Sequence, residues 1–164
     1  QALHVLGVGG LALHVTSFTD ACTRMGRRAS SRLVDVKREP AHPEDVERLG
    51  VPEGGEVIEL CRLRLCDGEP VMLEYNRFPA AYDFIEKDPP AGSLYDALRA
   101  HGLIPSRATH DIALGHANTT VSRQLSTAVG EALLILEETV YDQQDRPLHT
   151  SRQWIRGDKF TFRI

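Results

Sequence analysis

A chain of 164 residues and 18.2 kDa has the size of one domain, and its 41% hydrophobic and 26% charged residues are typical of a globular protein. A formal net charge of −4 excludes a strongly basic surface for nucleic acid, and the lack of an apolar run of about 18 residues excludes a transmembrane helix. Three cysteines without the spacing of a disulfide framework favour a reducing compartment, so we expect a cytoplasmic protein that makes no contact with a membrane.

The first half of the chain predicts short helices and strands around one clear hairpin. Residues 1–15 are mildly apolar but lack a basic front and a cleavage site, so we interpret them as a linker or an entering strand. The stretch from Ser17 to Asp20 has the spacing of a capping box and predicts a helix that ends near Gly26. The later elements of this half are a strand over 31–39, a helix over 43–49, a hairpin with strands over 57–65 and 71–78, and an irregular or briefly helical segment over 79–87.

The second half opens with the clearest helix, SLYDALRAHG, in which Ser93 is the N-cap and Gly102 the stop signal. The elements after it are a strand over 107–116, a helix over 119–129 closed by Gly130, a hairpin with strands over 132–142 and 147–156, and a last strand over 160–164. Strands joined by short turns, with helices between them, predict an α+β domain with a single antiparallel sheet and the helices packed mainly on one side. A weak internal echo, GEPVMLE from residue 68 and DRPLHTS from residue 145, indicates two related hairpins in that sheet.

Motifs for metal binding and catalysis are missing from the sequence. His110 and His116 share a face of one predicted strand, but six residues place them roughly 20 Å apart, too far to share an ion. The sequence has no G-x-S-x-G elbow, no cysteine–histidine signature and no phosphate-binding loop. We therefore expect no metal, no cofactor and no catalytic residues.

Two arginines of the first hairpin point toward the side where its core belongs. Alternation puts Arg62 and Arg64 on one face of their strand together with apolar neighbours. Arginine grips carboxylate or phosphate through a planar fork of donors, and the free N–H groups at the start of the Ser93 helix suit the same kind of anion. The spacing alone leaves two interpretations open: an anion site inside the sheet, or arginines that are ion-paired with Glu74 and loop carboxylates or exposed on an open face.

The order of several short motifs resembles a known family. The motifs are Arg62-x-Arg64-x-x-Asp67-Gly68-x-Pro70-x-x-x-Glu74, Pro79, Gly92-Ser93-Leu94-Tyr95 and, outside this segment, Thr16-Ser17-Phe18-Thr19-Asp20, Gly26, Tyr141-Asp142, Pro147, Ser151 and Arg156-Gly157-Asp158-Lys159-Phe160. Together they resemble the UTRA domain, the effector-binding domain of the HutC branch of GntR-type bacterial transcription regulators. The resemblance covers nearly the whole chain, from about residue 14 to the end.

This resemblance implies a chorismate-lyase-like fold, a homodimer, and a function in sensing rather than in catalysis. Residues 16–164 would form the effector domain, and a small anionic effector would change the DNA affinity of an N-terminal winged helix that is absent from this chain. Operator DNA would then be bound only through that missing domain. Two alternatives stay open: a lyase-type enzyme that uses the same fold on a small carboxylate, and a dimerisation module with a vestigial pocket.

The resemblance also implies which residues form the ligand site. The anionic group is expected at Arg62, Arg64, Thr19, Ser93 and Tyr95, the rest of the ligand is expected at Glu74, His149 and Ile155, and Ser17, Phe18 and Leu94 complete the predicted set. The family commonly has a glutamate where His149 stands and an aromatic residue where Ile155 stands. These two departures favour an anionic metabolite other than a hexosamine phosphate.

The loop of the first hairpin decides whether this site can exist. A two-residue type I′ loop at the Asp-Gly sequence would put Arg62 and Glu74 on opposite faces of the sheet. A three-residue loop, with Gly68 in a positive-φ bulge, instead pairs Leu65 with Glu69 and puts Arg62 and Glu74 on the same face. A common pocket requires the second arrangement, so we predict the three-residue loop.

Overall fold

A six-stranded antiparallel sheet, in the order β2-β3-β4-β7-β6-β5, forms the centre of the molecule. The computed structural model describes residues 2–4, 18–159 and 161–163. The elements within these residues are β1 (Ala2–His4), α1 (Phe18–Arg24), β2 (Ala29–Pro40), α2 (Pro43–Leu49), β3 (Glu56–Cys66), β4 (Glu69–Pro79), α3 (Phe84–Lys87), α4 (Leu94–Ala100), β5 (Arg107–His116), α5 (Thr119–Leu125), β6 (Ala132–Tyr141), β7 (Pro147–Ile155) and β8 (Thr161–Arg163). The predicted antiparallel sheet is thus confirmed.

The sheet consists of two halves with the same order of elements. The first half is β2-α2-β3-β4, the second is β5-α5-β6-β7, and the two meet where β4 pairs with β7. The hairpins β3–β4 and β6–β7 are those that carry the internal echo. The interpretation of that echo as two related hairpins in one sheet is therefore confirmed.

Two details differ from the prediction. Helix α5 ends at Leu125 instead of near residue 129, because Ser126 adopts the left-handed conformation with φ 56°. The last strand, β8, does not join the main sheet but pairs in parallel with β1 as a separate two-stranded sheet. The entering segment over 1–15 and the helix cap at Ser17 lie outside the described residues, apart from β1 itself.

The longest described helices have seven residues, too few to span a bilayer.

Three of the five described helices pack on one face of the sheet and two on the other, in line with the expectation that the helices lie mainly on one side. On the face that carries Arg62, apolar residues of α1, α3 and α4 pack on the sheet. On the opposite face, α5 packs on β4 through Val121 and Leu125, and α2 packs through Leu49. We call these the arginine face and the opposite face. The division follows from chain order, because in each half the helix between the first two strands lies over the opposite face.

The loop between β3 and β4 corrects the predicted register. Asp67 and Gly68 both have positive φ (50° and 79°) between paired Cys66 and Glu69, which is a two-residue type I′ loop. The predicted three-residue loop is therefore wrong, since the type I′ turn matches the twist of the strands and the local Asp-Gly signal prevails.

A bulge beyond that loop restores the predicted face of the arginines. Leu65 pairs with Pro70 and Arg64 with Met72, so Val71 is left over and the register shifts by one residue. The freed carbonyl of Val71 accepts a hydrogen bond from the Arg156 N–H at 3.0 Å. Because of the bulge, Arg62 lies directly opposite Glu74, and Arg62 and Arg64 both share a face of the sheet with Glu74.

Candidate functional site

Two arginines converge on one carboxylate at the centre of the arginine face. Glu74 Oε2 accepts hydrogen bonds from Arg64 Nη1 at 2.7 Å and from Arg62 Nη2 at 3.5 Å. The pairing of Arg62 with Glu74, and of Arg64 with the residue two positions before Glu74, places all three side chains within reach. They are buried, with 0%, 4% and 6% of Arg62, Arg64 and Glu74 exposed. The sequence therefore places a charged cluster where a core would otherwise lie.

The loop before α4 closes over the same cluster. Arg62 Nη1 donates to the carbonyl oxygen of Gly92 at 2.8 Å and lies 3.4 Å from that of Pro90. Ser93 then caps α4 by accepting from the Asp96 N–H at 3.3 Å, as predicted for this helix. The guanidinium thus fixes the position at which α4 begins over the sheet.

The cluster carries one excess positive charge. Burial would raise the pKa of Glu74, but the charges of Arg64 and Arg62 hold that pKa at about 2. Burial lowers the pKa of Arg62 to about 10, although the charge of Glu74 opposes this. Glu74 and Arg62 are ionised near pH 7, and the buried carboxylate of Glu74 is shared between two arginine side chains.

Helix α1 covers the end of the cluster near Arg64. The Phe18 ring lies under the guanidinium, with 4.5 Å between Arg64 Cζ and the ring centroid. Cys22 of the same helix packs with Met72 and Ile155 in an apolar cluster. Ile155 therefore faces α1 and apolar neighbours. Thr19 lies partly buried on α1, and Ser17 lies outside the described residues.

The other end of the face is covered by α4. Leu94 and Tyr95 pack there against apolar residues of β3 and β4. The His149 ring lies 5.3 Å from the Phe78 ring and 6.3 Å from the Tyr95 ring. Burial lowers the pKa of His149, so its imidazole is neutral near pH 7. Burial raises the pKa of Tyr95, and the charges of Glu138 and Glu74 act in the same direction.

Polar residues that sequence reasoning missed lie between these two ends. Asn76 of β4 pairs with Ser151 of β7, which pairs with Glu138 of β6, and Glu138 contacts His110 of β5 at 2.5 Å. Strand alternation could have found Asn76, which lies two residues beyond Glu74. The others could not be found, since their contacts depend on the order of the strands.

Several buried polar atoms of this face lack hydrogen-bond partners in the described part of the chain. They are Arg62 Nε, Arg64 Nε, both polar atoms of the Asn76 amide, and His149 Nε2. Buried polar atoms in folded proteins are nearly always paired, and an unpaired one is unfavourable. These unpaired atoms are concentrated on the arginine face, where the two arginines and Glu74 also lie.

The opposite face holds a separate charged network beside a cavity of about 350 Å³. Arg77 donates to both oxygens of Asp45 at 2.8 and 2.7 Å, and to Glu39 and Glu59 at 2.5 Å each. Asp45 also accepts from the His42 N–H at 2.8 Å, at the start of α2. Arg77 therefore joins α2, β2 and β3 to β4, and its charge is fully paired.

Comparison with known proteins assigns the chain to a family. The family model of the UTRA domain matches residues 24–161, so the chain belongs to the UTRA domain family. This confirms the resemblance seen in the sequence motifs.

Proteins similar to this chain include transcriptional regulators. The chain is 27% identical to the "Probable fructoselysine utilization operon transcriptional repressor" of Escherichia coli (strain K12), over 93% of this chain and 63% of that protein. It is 26% identical to the "HTH-type transcriptional repressor NagR" of Bacillus subtilis (strain 168), over 90% of this chain and 62% of that protein. The chain thus spans less than two thirds of the length of these relatives. The crystal structure of the effector domain of PhnF from Mycobacterium smegmatis matches with a TM-score of 0.86 and 28% identity, over 93% of this chain and 95% of that chain.

Proposed function

We propose that this chain is the sensing domain of a bacterial transcription regulator and binds a small organic anion on its arginine face. Binding would change the affinity of a winged-helix DNA-binding domain in the full-length, cytoplasmic regulator, and operator DNA would contact only that domain. The observation that carries the proposal is the buried cluster of Arg62, Arg64 and Glu74 with its one excess positive charge. Membership of the UTRA family and the similar repressors support the regulatory context.

The charge of this cluster suits an anionic ligand. A buried charge is stable only when it is paired, and one carboxylate is shared here between two guanidinium groups. A phosphate or carboxylate could accept from the unpaired Nε atoms of Arg62 and Arg64 in the forked geometry that arginine favours. We propose that the anionic group lies there, near Ser93, Thr19 and Tyr95.

The remaining predicted residues would surround the rest of the effector. They are Glu74, Leu94, His149 and Ile155 on the sheet and α4, with Phe18 on α1; Ser17, outside the described residues, completes the predicted set. The cluster is buried, so an effector can enter only when α1 or α4 moves away from the sheet. Helix α1 is the element that follows the N-terminal segment of the chain, which makes such a movement a route toward a preceding domain.

We further propose that the domain is not an enzyme. A lyase on this face would need a group that exchanges a proton near neutral pH. The carboxyl group of Glu74, with a pKa of about 2 under the influence of burial and of Arg64 and Arg62, stays ionised at that pH. The named relatives are regulators, which agrees with a role in sensing.

Replacement of Arg64 tests the proposed anion site. We expect Arg64→Ala to weaken the binding of inorganic phosphate by about 1.5–3 kcal/mol, or roughly 10- to 150-fold, because a charged hydrogen bond is lost. Arg64→Lys should restore binding only in part, since lysine lacks the planar fork. Isothermal titration calorimetry with phosphate measures both. Arg123→Ala, at an exposed position of α5, is the control and should bind as the unchanged protein does. Equal affinity of the Arg64→Ala variant would place the anion elsewhere.

A homodimer is also part of the proposal, because a regulator of this kind matches two operator half-sites with two copies of itself. Sedimentation velocity at tens of micromolar should show a species of twice the 18.2 kDa chain mass. A single species at the mass of one chain would contradict the dimer but would leave the anion site untouched.

A further inference from the structure

Two of the three cysteines meet at the end of the arginine face that α1 covers. Cys22 lies on α1 and Cys66 is the last residue of β3, and both belong to the apolar cluster that contains Met72 and Ile155. They are 0% and 1% exposed, and their free thiol groups are close enough for a side-chain hydrogen bond. The fold therefore places side by side two thiols that are distant in sequence and belong to different elements.

Both cysteines are placed to control the position of α1. Cys66 is paired with residues of both β2 and β4, so its backbone is fixed in the sheet. Cys22 lies one helical turn after Phe18, whose ring packs under the guanidinium of Arg64. A covalent bond between the two sulfur atoms would therefore fasten the helix that covers the Arg64 end of the cluster.

The docked helix protects the thiols from oxidation. The thiolate is the reactive form of cysteine. Burial and the contact with Cys66 raise the pKa of Cys22 to about 12, against the opposing charges of Arg64 and Arg27. At neutral pH the docked Cys22 is thus protonated as well as shielded from solvent. Movement of α1 away from the sheet, by which we propose that an effector can enter, removes the burial and exposes Cys22.

We propose that Cys22 and Cys66 form a reversible disulfide bond that ties α1 to the sheet and closes the Arg64 end of the anion site. The oxidant is a peroxide. The closure of the anion site rests on the proposed sensing function, because it assigns a form of regulation to the same site, whereas the disulfide and the tied helix do not depend on it.

The reaction has two steps, and hydrogen peroxide supplies the oxidising power. The deprotonated sulfur of Cys22 attacks one oxygen of the peroxide and breaks the O–O bond, which leaves a sulfenic acid, and the departing hydroxide takes up the thiol proton as water. When α1 docks again, the sulfur of Cys66 attacks the sulfenic sulfur and breaks its S–O bond, and a second water leaves with the proton of Cys66. Two thiols and one peroxide thus become one disulfide and two waters, and a dithiol reductant reverses the bond by exchange.

Peroxide treatment followed by mass spectrometry tests the bond itself. The treated chain should lose two hydrogen atoms, its non-reducing peptide map should contain a peptide that links Cys22 to Cys66, and dithiothreitol should reverse both changes. Cys22→Ala and Cys66→Ala should each abolish this link. Cys61→Ala is the matched control and should still form it, because Cys61 is also buried but lies on the opposite face, hydrogen-bonded to Tyr75. No disulfide, or one that involves Cys61 or joins two chains, overturns the proposal.

Hydrogen–deuterium exchange tests whether the bond holds α1. Amides of Phe18–Arg24 should exchange at least tenfold more slowly in the oxidised chain than in the reduced chain, and addition of dithiothreitol should restore the faster rate. Amides of Thr119–Leu125, in α5 on the opposite face, should exchange equally in both forms. Equal exchange of α1 in the two forms would show that the disulfide does not restrain the helix and would overturn the proposal.

Phosphate exchange tests the closure of the anion site. Inorganic phosphate should enter and leave the oxidised chain at least tenfold more slowly than the reduced chain, as measured by phosphorus NMR line shapes. Equal rates in the two forms overturn the closure. The two levels of proposal fail separately: a reduced chain that binds no phosphate contradicts the anion site, whereas phosphate binding without the link between Cys22 and Cys66 contradicts only this inference.

Discussion

Replacement of Glu74 by alanine should destabilise the domain more than any other single change to the candidate site. The variant leaves the guanidinium groups of Arg62 and Arg64 without their shared carboxylate. Both arginines are buried, with 0% of Arg62 and 4% of Arg64 exposed. Removal of one partner from a buried ion pair lowers the free energy of unfolding by about 3–5 kcal/mol. For a domain of this size, that corresponds to a fall in Tm of roughly 6–20 °C, which scanning calorimetry can measure.

An anion should partly reverse this effect. Inorganic phosphate can take the place of the missing carboxylate between the arginines, so it should raise the Tm of Glu74→Ala more than that of the unchanged chain. Glu53→Ala, at an exposed position in the loop before β3, is the control and should leave Tm almost unchanged. If Glu74→Ala unfolds at the same temperature as the unchanged chain, the cluster is not the charged centre that we describe.

Replacement of Arg77 by methionine should have the second-largest effect, on the opposite face. Arg77 is 14% exposed and contacts the carboxylates of Asp45, Glu39 and Glu59. Methionine keeps much of the apolar packing but removes the arginine that these three carboxylates share, while Lys37 still contacts Glu39 and Glu59. We expect a loss of about 2–4 kcal/mol in the free energy of unfolding at pH 7, measured by urea denaturation.

The decrease in the free energy of unfolding caused by Arg77→Met should depend on pH. Burial would raise the pKa of Asp45 and Glu39, but hydrogen bonds and charge from Arg77 hold both pKa values below their usual range. A lowered pKa in the folded state stabilises the protein above the unfolded pKa, about 4, and this contribution is lost as the pH falls through the folded value. Without Arg77, these carboxylates repel each other and bind protons more readily. The difference in the free energy of unfolding between the Arg77→Met variant and the unchanged chain should therefore narrow as the pH falls below about 4.

Arg99→Met is the control, because it makes the same replacement of an arginine by methionine at an exposed position. The Arg99 side chain is 47% exposed and its contact with Asp96 is 3.7 Å long, so its loss should change stability little. A stability gap between the Arg77→Met variant and the unchanged chain that stays constant as the pH falls from 7 to well below about 4 would contradict the electrostatic explanation and favour lost packing instead.

Local signals allowed most elements to be predicted, but their three-dimensional combination could not be. Pro43 and Gly50 mark the ends of α2, and the structure has that helix over the predicted residues. The Asp67-Gly68 sequence by itself indicates a two-residue loop. The requirement that Arg62 and Glu74 share a face of the sheet favours a three-residue loop instead. The bulge at Val71 meets that requirement by another route and has no mark in the sequence.

The candidate site shows the same limit. Alternation within β3 was enough to place both arginines on one face, because it is a property of a single strand. The contact of Glu138 with His110, and the network of Arg77 with α2, β2 and β3, join elements that are distant in sequence. Their discovery needs the strand order β4-β7-β6-β5 and the crossing of α2 over the sheet, which no local pattern contains.

The meeting of β4 and β7 at the centre of the sheet makes each half of the domain an unbroken stretch of chain. Residues 29–79 build one half and residues 107–155 the other, and the arginines and Glu74 belong to the first while His149 belongs to the second. A ligand that contacts the arginines and Glu74 in one half and His149 in the other would hold the two halves of the domain together. The domain could then be cut between β4 and β5 and expressed as two pieces, and their reassembly would report the concentration of the effector.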